Sequence, residues 1–115
     1  MEDGNQMGTP LDLLQGNLDL LILRTLAQGS MHGYTVARSI KERSNNVLLV
    51  EEGALYPALH RLERKRFVES EWGVSENNRK AKFYRLTDRG RAQLKVALAE
   101  WDRYTRAVAG VLQRA

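Results

Sequence analysis

The stretch EEGALYPALHRLERKRF, residues 51 to 67, shows helical spacing in Leu55, Leu59 and Leu62, and it carries a proline, Pro57, near its front. Proline is tolerated near the leading end of a helix, where the first N–H groups have no intrahelical acceptor. A helix that begins near Glu52 meets that condition. Glu51 and Glu52 then suit the positive end of its dipole, and Arg64, Lys65 and Arg66 suit the other end. With the three leucines turned to a core, Tyr56, Pro57, His60, Arg61 and Arg64 fall on or near the outer side. Arg and His donate to guanine N7 and O6, and Tyr contacts phosphate or base.

The residues ahead of this helix supply two more. Leu18, Leu21, Ile22 and Leu26 have helical spacing, Asn17 suits an N-cap and Gly29 a terminator, which predicts a helix over 17–28. YTVARSIKERS spaces Tyr34, Ala37 and Ile40 by three and predicts a second helix over 33–43, with Arg38 and Lys41 on other faces. His32 and Tyr34, at its start, suggest capping and core packing. Val47 to Val50 reads as an extended connector that seals the core.

Behind the quoted stretch, VESEWGV and KAKFYRL both alternate as strands do, and the intervening Asn77 and Asn78 favour a turn. The result is a β-hairpin with a basic end, where Arg79, Lys80 and Lys82 can neutralise phosphates or simply guard an open edge. Thr87 can cap a long final helix in which Leu94, Leu98, Trp101, Thr105, Val108 and Leu112 alternate spacings of four and three. Such a seam wants a partner helix, and a chain of 115 residues has few to offer. A homodimer is expected.

Composition narrows the function further. One domain with one core is all this length allows. The net charge is +4, but residues 56 to 91 hold ten Lys/Arg against five Asp/Glu, whereas residues 1 to 55 hold four against seven. The positive balance therefore sits in the quoted helix and the hairpin, as expected of a surface that approaches phosphates. No apolar run approaches membrane-spanning length, the front end lacks the regions of a secretory signal, and there is no cysteine for a disulfide. A cytoplasmic location is expected. His32 and His60 lack metal-binding spacing, so no metal or cofactor is expected. Nor is there a nucleophile elbow or a phosphate-cradling glycine loop, which argues against an enzyme.

Three helices followed by a basic hairpin make a winged helix-turn-helix, mainly α with a small β component, whose third helix can enter a major groove. Three segments, LDLLILRTLAQGSMHGYTVARSI, EEGALYPALHRLERK and KFYRLTDRGRAQL, resemble the PadR family of bacterial and archaeal transcriptional regulators in its short form, with a single C-terminal helix. The resemblance covers residues 11 to 113. Residues 1–10, with two glycines and no periodic apolar face, read as a flexible tail; the resemblance implies a DNA-binding domain over 11–87, a dimerisation helix over 88–115, and a dimeric repressor whose third helix is the recognition helix. It also implies, from relatives with an aromatic at the place of Trp101, a pocket between subunits that takes planar apolar compounds; here Trp101 and Tyr104 would line it.

Where the family usually carries glycine this chain has Arg66, so the turn after the third helix is either a left-handed arginine or reshaped. Two rivals stand beside the repressor. One is a winged helix that binds a protein and not DNA, favoured by Glu51 and Glu52 at the recognition helix's leading end. The other is a small enzyme around Trp101 and Tyr104, for which no general base is in reach. Arg61 also has a second reading, as an ion pair back to its own domain.

Overall fold

The structure, a computed structural model, describes residues 11–113. The expected tail over 1–10 lies outside them. Its elements run α1 (Leu11–Leu26), β1 (Met31–His32), α2 (Gly33–Arg43), α3 (Glu52–Arg64), β2 (Val68–Val74), β3 (Lys80–Leu86) and α4 (Asp88–Leu112). The three strands form one antiparallel sheet in the order β1-β3-β2.

A single core joins all the helices to the sheet. Ile22 and Leu26 of α1, Val36 of α2, and Leu55, Ala58, Leu59 and Leu62 of α3 are excluded from solvent, together with Val68. Each such leucine contributes about 1.5–3 kcal/mol relative to exposure. The leucine spacing of the quoted stretch thus fixes which side of α3 is inward.

Three expectations need correction. The first helix starts at Leu11 and ends at Leu26, not over 17–28, so Asn17 lies inside it and is not its cap. The inward face of α2 is Gly33, Val36 and Ile40, while Tyr34 is 63% exposed and packs in no core. His32 occupies the N-cap position of α2 without a side-chain cap; its Nε2 instead lies 3.1 Å from the Thr35 hydroxyl. The short strand β1 was not expected at all.

Pro57 is the sixth residue of α3, beyond the orphan N–H groups. It therefore denies the Gly53 carbonyl its usual helical donor. Both residues are exposed, and the space around the Gly53 α-carbon is open, so solvent can serve that carbonyl. Exposure, more than position, makes this proline tolerable.

The end of α3 resolves the question of Arg66. Its φ is 65°, in the left-handed region. Arg66 N donates to the Glu63 carbonyl at 2.9 Å and Phe67 N to the Leu62 carbonyl at 3.0 Å, the paired bonds of a Schellman turn. The turn keeps its glycine geometry without the glycine. It is also fastened to the last helix: Thr87 Oγ1 donates to the Arg66 carbonyl at 2.6 Å and accepts from Gly90 N at 2.9 Å. Arg89 Nε donates to the Lys65 carbonyl at 3.0 Å.

Gly90 is the tight point of this junction. A Cβ there would stand 1.9 Å from the Phe67 carbonyl oxygen. From this anchored start α4 runs 25 residues, about 37 Å at 1.5 Å per residue. Leu94 is buried, whereas Leu98, Trp101, Tyr104, Val111 and Leu112 are exposed in the single chain.

Candidate nucleic-acid interface

One turn apart on the outer side of α3, Gly53, Pro57, His60 and Arg64 form an exposed row, flanked by Tyr56 on one side and Arg61 on the other. The Tyr56 ring leans back over Gly33 at the start of α2; a Cβ on Gly33 would meet Tyr56 ring atoms at 2.8 Å. A glycine at this position therefore lets α2 and the tyrosine come together. Tyr56 remains 42% exposed, so its ring is positioned by α2 and still presented outward.

Arg61 is differently placed. Its guanidinium grips Asp19 of α1 in a fork, Nη2 to Oδ1 at 2.6 Å and Nε to Oδ2 at 3.3 Å. That hydrogen bond, with the carboxylate's charge behind it, holds the arginine above its already high pKa, against the smaller opposing effect of burial. Of the two readings of Arg61, the structure displays the ion pair to its own domain.

On α2, Arg38 and Lys41 are exposed. The Arg38 guanidinium lies 5.7 Å from the centre of the Tyr34 ring and 3.9 Å from Glu42. Tyr34 in turn stacks on His32, centroids 6.2 Å apart. Between α2 and α3, Tyr34, Arg38, Lys41 and Glu42, with Leu49, Val50 and Tyr56, border an open groove of about 510 Å³. Glu51 and Glu52 border it too, so the leading end of α3 is acidic while its middle and trailing end are neutral to basic.

The hairpin completes the surface. Register pairs Ser70 with Tyr84, Trp72 with Lys82 and Val74 with Lys80. At the turn, Asn78 takes a φ of 60° and donates from its backbone to the Ser75 carbonyl at 2.8 Å, leaving Arg79 exposed. Lys80 and Lys82 place their ammonium groups 5.1 and 5.9 Å from the centre of the Trp72 ring. The hairpin is tied to α3 by Ser70, whose hydroxyl donates to Glu63 at 2.6 Å. Burial, with the charges of Glu63 and Tyr56 nearby, pushes the Tyr84 phenol above the usual tyrosine range.

The structure thus brings Tyr56, Pro57, His60 and Arg64 together on α3, adds Arg38 and Lys41 from α2, and sets Arg79, Lys80 and Lys82 on the hairpin. Asp19, Ser70 and Trp72 were not singled out from sequence. For Trp72 the signal was available, since strand alternation and the hairpin register place it opposite Lys82. For Asp19 there was none, because its partner lies 42 residues away.

Along α4, Thr105 and Val108 are half-buried, and the Thr105 hydroxyl donates to the Trp101 carbonyl at 2.9 Å. Trp101 and Tyr104 lie with ring centres 6.3 Å apart, tilted by 39°. A surface depression of about 340 Å³ borders Tyr104, Glu100, Arg103 and Ala107. Among the described residues no three His, Cys, Asp or Glu side chains gather as metal ligands, and no helix is long and apolar enough to cross a membrane.

Comparison with known proteins agrees with this geometry. Residues 22–96 match the PadR-like family of transcriptional regulators. A curated protein of Lysinibacillus sphaericus, described as uncharacterized protein X, is 36% identical over 90 residues, 78% of this chain and 83% of its own. Among solved structures, a PadR-like transcriptional regulator of Bacillus cereus superposes with a TM-score of 0.78 at 28% identity, covering 90% of this chain and 99% of that one. A PadR family regulator of Eggerthella lenta gives 0.77 at 30% identity, covering 91% and 89%. A transcriptional regulator of Clostridium thermocellum gives 0.78 at 27%, covering 86% and 96%. With its winged-helix fold, its long last helix and a match over most of its length, the chain belongs to the PadR-like family of transcriptional regulators.

Proposed function

We propose that this regulator is a cytoplasmic homodimer that binds a specific duplex DNA site and represses transcription there. The observation that carries the reading is the exposed row on α3 together with a basic hairpin tied to that same helix. Tyr56, Pro57, His60 and Arg64 are presented outward on a helix able to enter a major groove, and Arg79, Lys80 and Lys82 lie on the hairpin that Ser70 ties to the same helix through Glu63. Arg38 and Lys41 of α2 add phosphate contacts. Arg61 serves by holding α3 against α1 through Asp19.

In this reading residues 11–87 form the DNA-binding part and α4, Asp88–Leu112, the dimerisation helix. The exposed side chains of Leu98, Trp101 and Leu112, with the half-buried Thr105 and Val108 between them, support a seam against a second copy of α4, whereas Leu94, the first residue of the expected seam, is buried in the chain's own core. A planar aromatic effector held between subunits at Trp101 and Tyr104 would release the DNA. If so, candidate aromatics quench Trp101 emission, and the Trp101→Ala variant loses that quenching; quenching that survives the substitution rejects the effector site.

The test of DNA binding is a salt titration on DNA from upstream of the protein's own gene, against a scrambled duplex of equal length. Sequence-preferring binding that weakens steeply with salt is expected. Reversing charge at Lys80 and Lys82 should lower the log–log salt slope by about 2. One observation favours a second reading: Glu51 and Glu52, exposed at the leading end of α3, are poor neighbours for phosphates. Absence of any duplex binding at low salt would move a protein partner for this face to the front.

A further inference from the structure

We propose that Trp72 is a further DNA-contacting residue: its indole packs on the deoxyribose edge of the groove beside α3 while Lys80 and Lys82 pair with the flanking phosphates. This rests on the DNA-binding reading above and extends it to a residue whose role is apolar, not ionic.

Trp72 is 61% exposed and its neighbour on the same strand face, Val74, is 65% exposed. A large apolar group left in water at the free end of a hairpin contributes little to the core. What surrounds it is cationic. The ammonium groups of Lys80 and Lys82 lie 5.1 and 5.9 Å from its ring centre, within the roughly 6 Å reach of a cation–π contact. Both lysines are therefore gathered around the ring before any ligand arrives.

The two faces of the hairpin differ in charge, and this selects the occupant. Register and alternation put Trp72, Val74, Lys80 and Lys82 on one face. The other carries Glu69 and Glu71, with Arg85 already paired to Glu69 at 2.7 Å. Only the tryptophan face is net positive.

It is also the face tied to α3. Nearer the core, the same face carries Ser70, bonded to Glu63 of α3, and the buried Tyr84. A duplex that seats on the α3 row and also reaches the hairpin tied to that helix meets Trp72 and its lysines, where the ring offers sugars an apolar surface between two phosphate-binding groups. Gly73 keeps the strand close: a Cβ there would meet the Phe83 ring at 3.0 Å.

The experiment uses the full chain labelled with 5-fluorotryptophan, which gives one fluorine signal from each of its two tryptophans, assigned with Trp72→Phe. Binding is followed by anisotropy of a labelled duplex from upstream of the gene and of a scrambled duplex. On saturation the Trp72 signal should shift and lose its sensitivity to exchange of H2O for D2O. Trp72→Ala should weaken binding about tenfold with an unchanged salt slope, because the contact releases no counterion. Duplex binding that leaves the Trp72 signal untouched, or wild-type affinity in Trp72→Ala, overturns the proposal while leaving DNA binding intact. No anisotropy change at low salt with either duplex overturns both, and the two failures are thereby distinguished.

Discussion

Arg66 holds a φ of 65° at a position where L-residues carry a steric penalty, of about 1–2 kcal/mol. The surrounding bonds enforce it: both Schellman hydrogen bonds are made, and the Arg66 carbonyl accepts from Thr87. Arg66→Gly should therefore raise stability by about 1 kcal/mol, seen as a higher urea midpoint at an unchanged slope; the greater unfolded freedom of glycine keeps the gain below the full steric penalty. At Gly90 the sign reverses. Ala at this site drives a methyl into a backbone carbonyl that cannot swing aside, so Gly90→Ala should cost about 3 kcal/mol or more, measured by the same titration. Tyr84 adds a dependence on pH. Its phenol is raised in the folded chain, mainly by burial, so the stabilisation is complete below the ordinary tyrosine pKa of about 10 and is lost as pH climbs past it. Stability should fall on that alkaline limb, and less so in Tyr84→Phe.

Elements differ in how much of them the sequence displays. For α3, β2, β3 and the start of α4 the decisive signals are local: leucines one turn apart, strict alternation, a threonine whose hydroxyl accepts from Gly90 N. These were legible. Strand β1 is two residues long and exists because Met31 and His32 find Tyr84 and Phe83, over fifty residues away. No local pattern announces such a pairing. The start of α1 was obscured because Asn17, of a residue type that favours caps over helix interiors, nevertheless lies inside a helix that packs against α4. In α2 a spacing of three fits two faces equally, and only the packed structure buries Val36 and turns Tyr34 out, with Ala37 part-buried against the core. The candidate site divides the same way: its exposed cations could be read from period, but the Arg61–Asp19 fork joins α3 to α1 across the fold. Because both partners are part-exposed, a double-mutant cycle on Asp19→Ala and Arg61→Ala should give a coupling of only about 0.5–1 kcal/mol. Its larger consequence belongs to α3. If the fork sets the helix's angle, Asp19→Ala should weaken DNA binding although Asp19 itself, an anion, gains nothing from phosphates.

At the scale of the whole molecule, the Thr87–Arg66 and Arg89–Lys65 bonds make α3 and α4 one rigid corner. A second copy docked along α4 would therefore fix the separation of two α3 helices, and operators should present two inverted half-sites a whole number of helical turns apart. Coupling two weak half-site contacts through a rigid dimer raises affinity by about 10²–10⁴-fold without any new contact to DNA. Leu98 and Leu112 are exposed in the single chain, so replacing both with glutamate should leave the monomer folded, with unchanged circular dichroism, while light scattering reports half the mass. Binding to the full operator should then fall by at least about 10²-fold and approach that for an isolated half-site, whose own affinity the substitutions should leave alone. Equal losses on the full and half operators would instead mean that α4 acts on the DNA face through the corner at Arg66 and Gly90, not by pairing two copies.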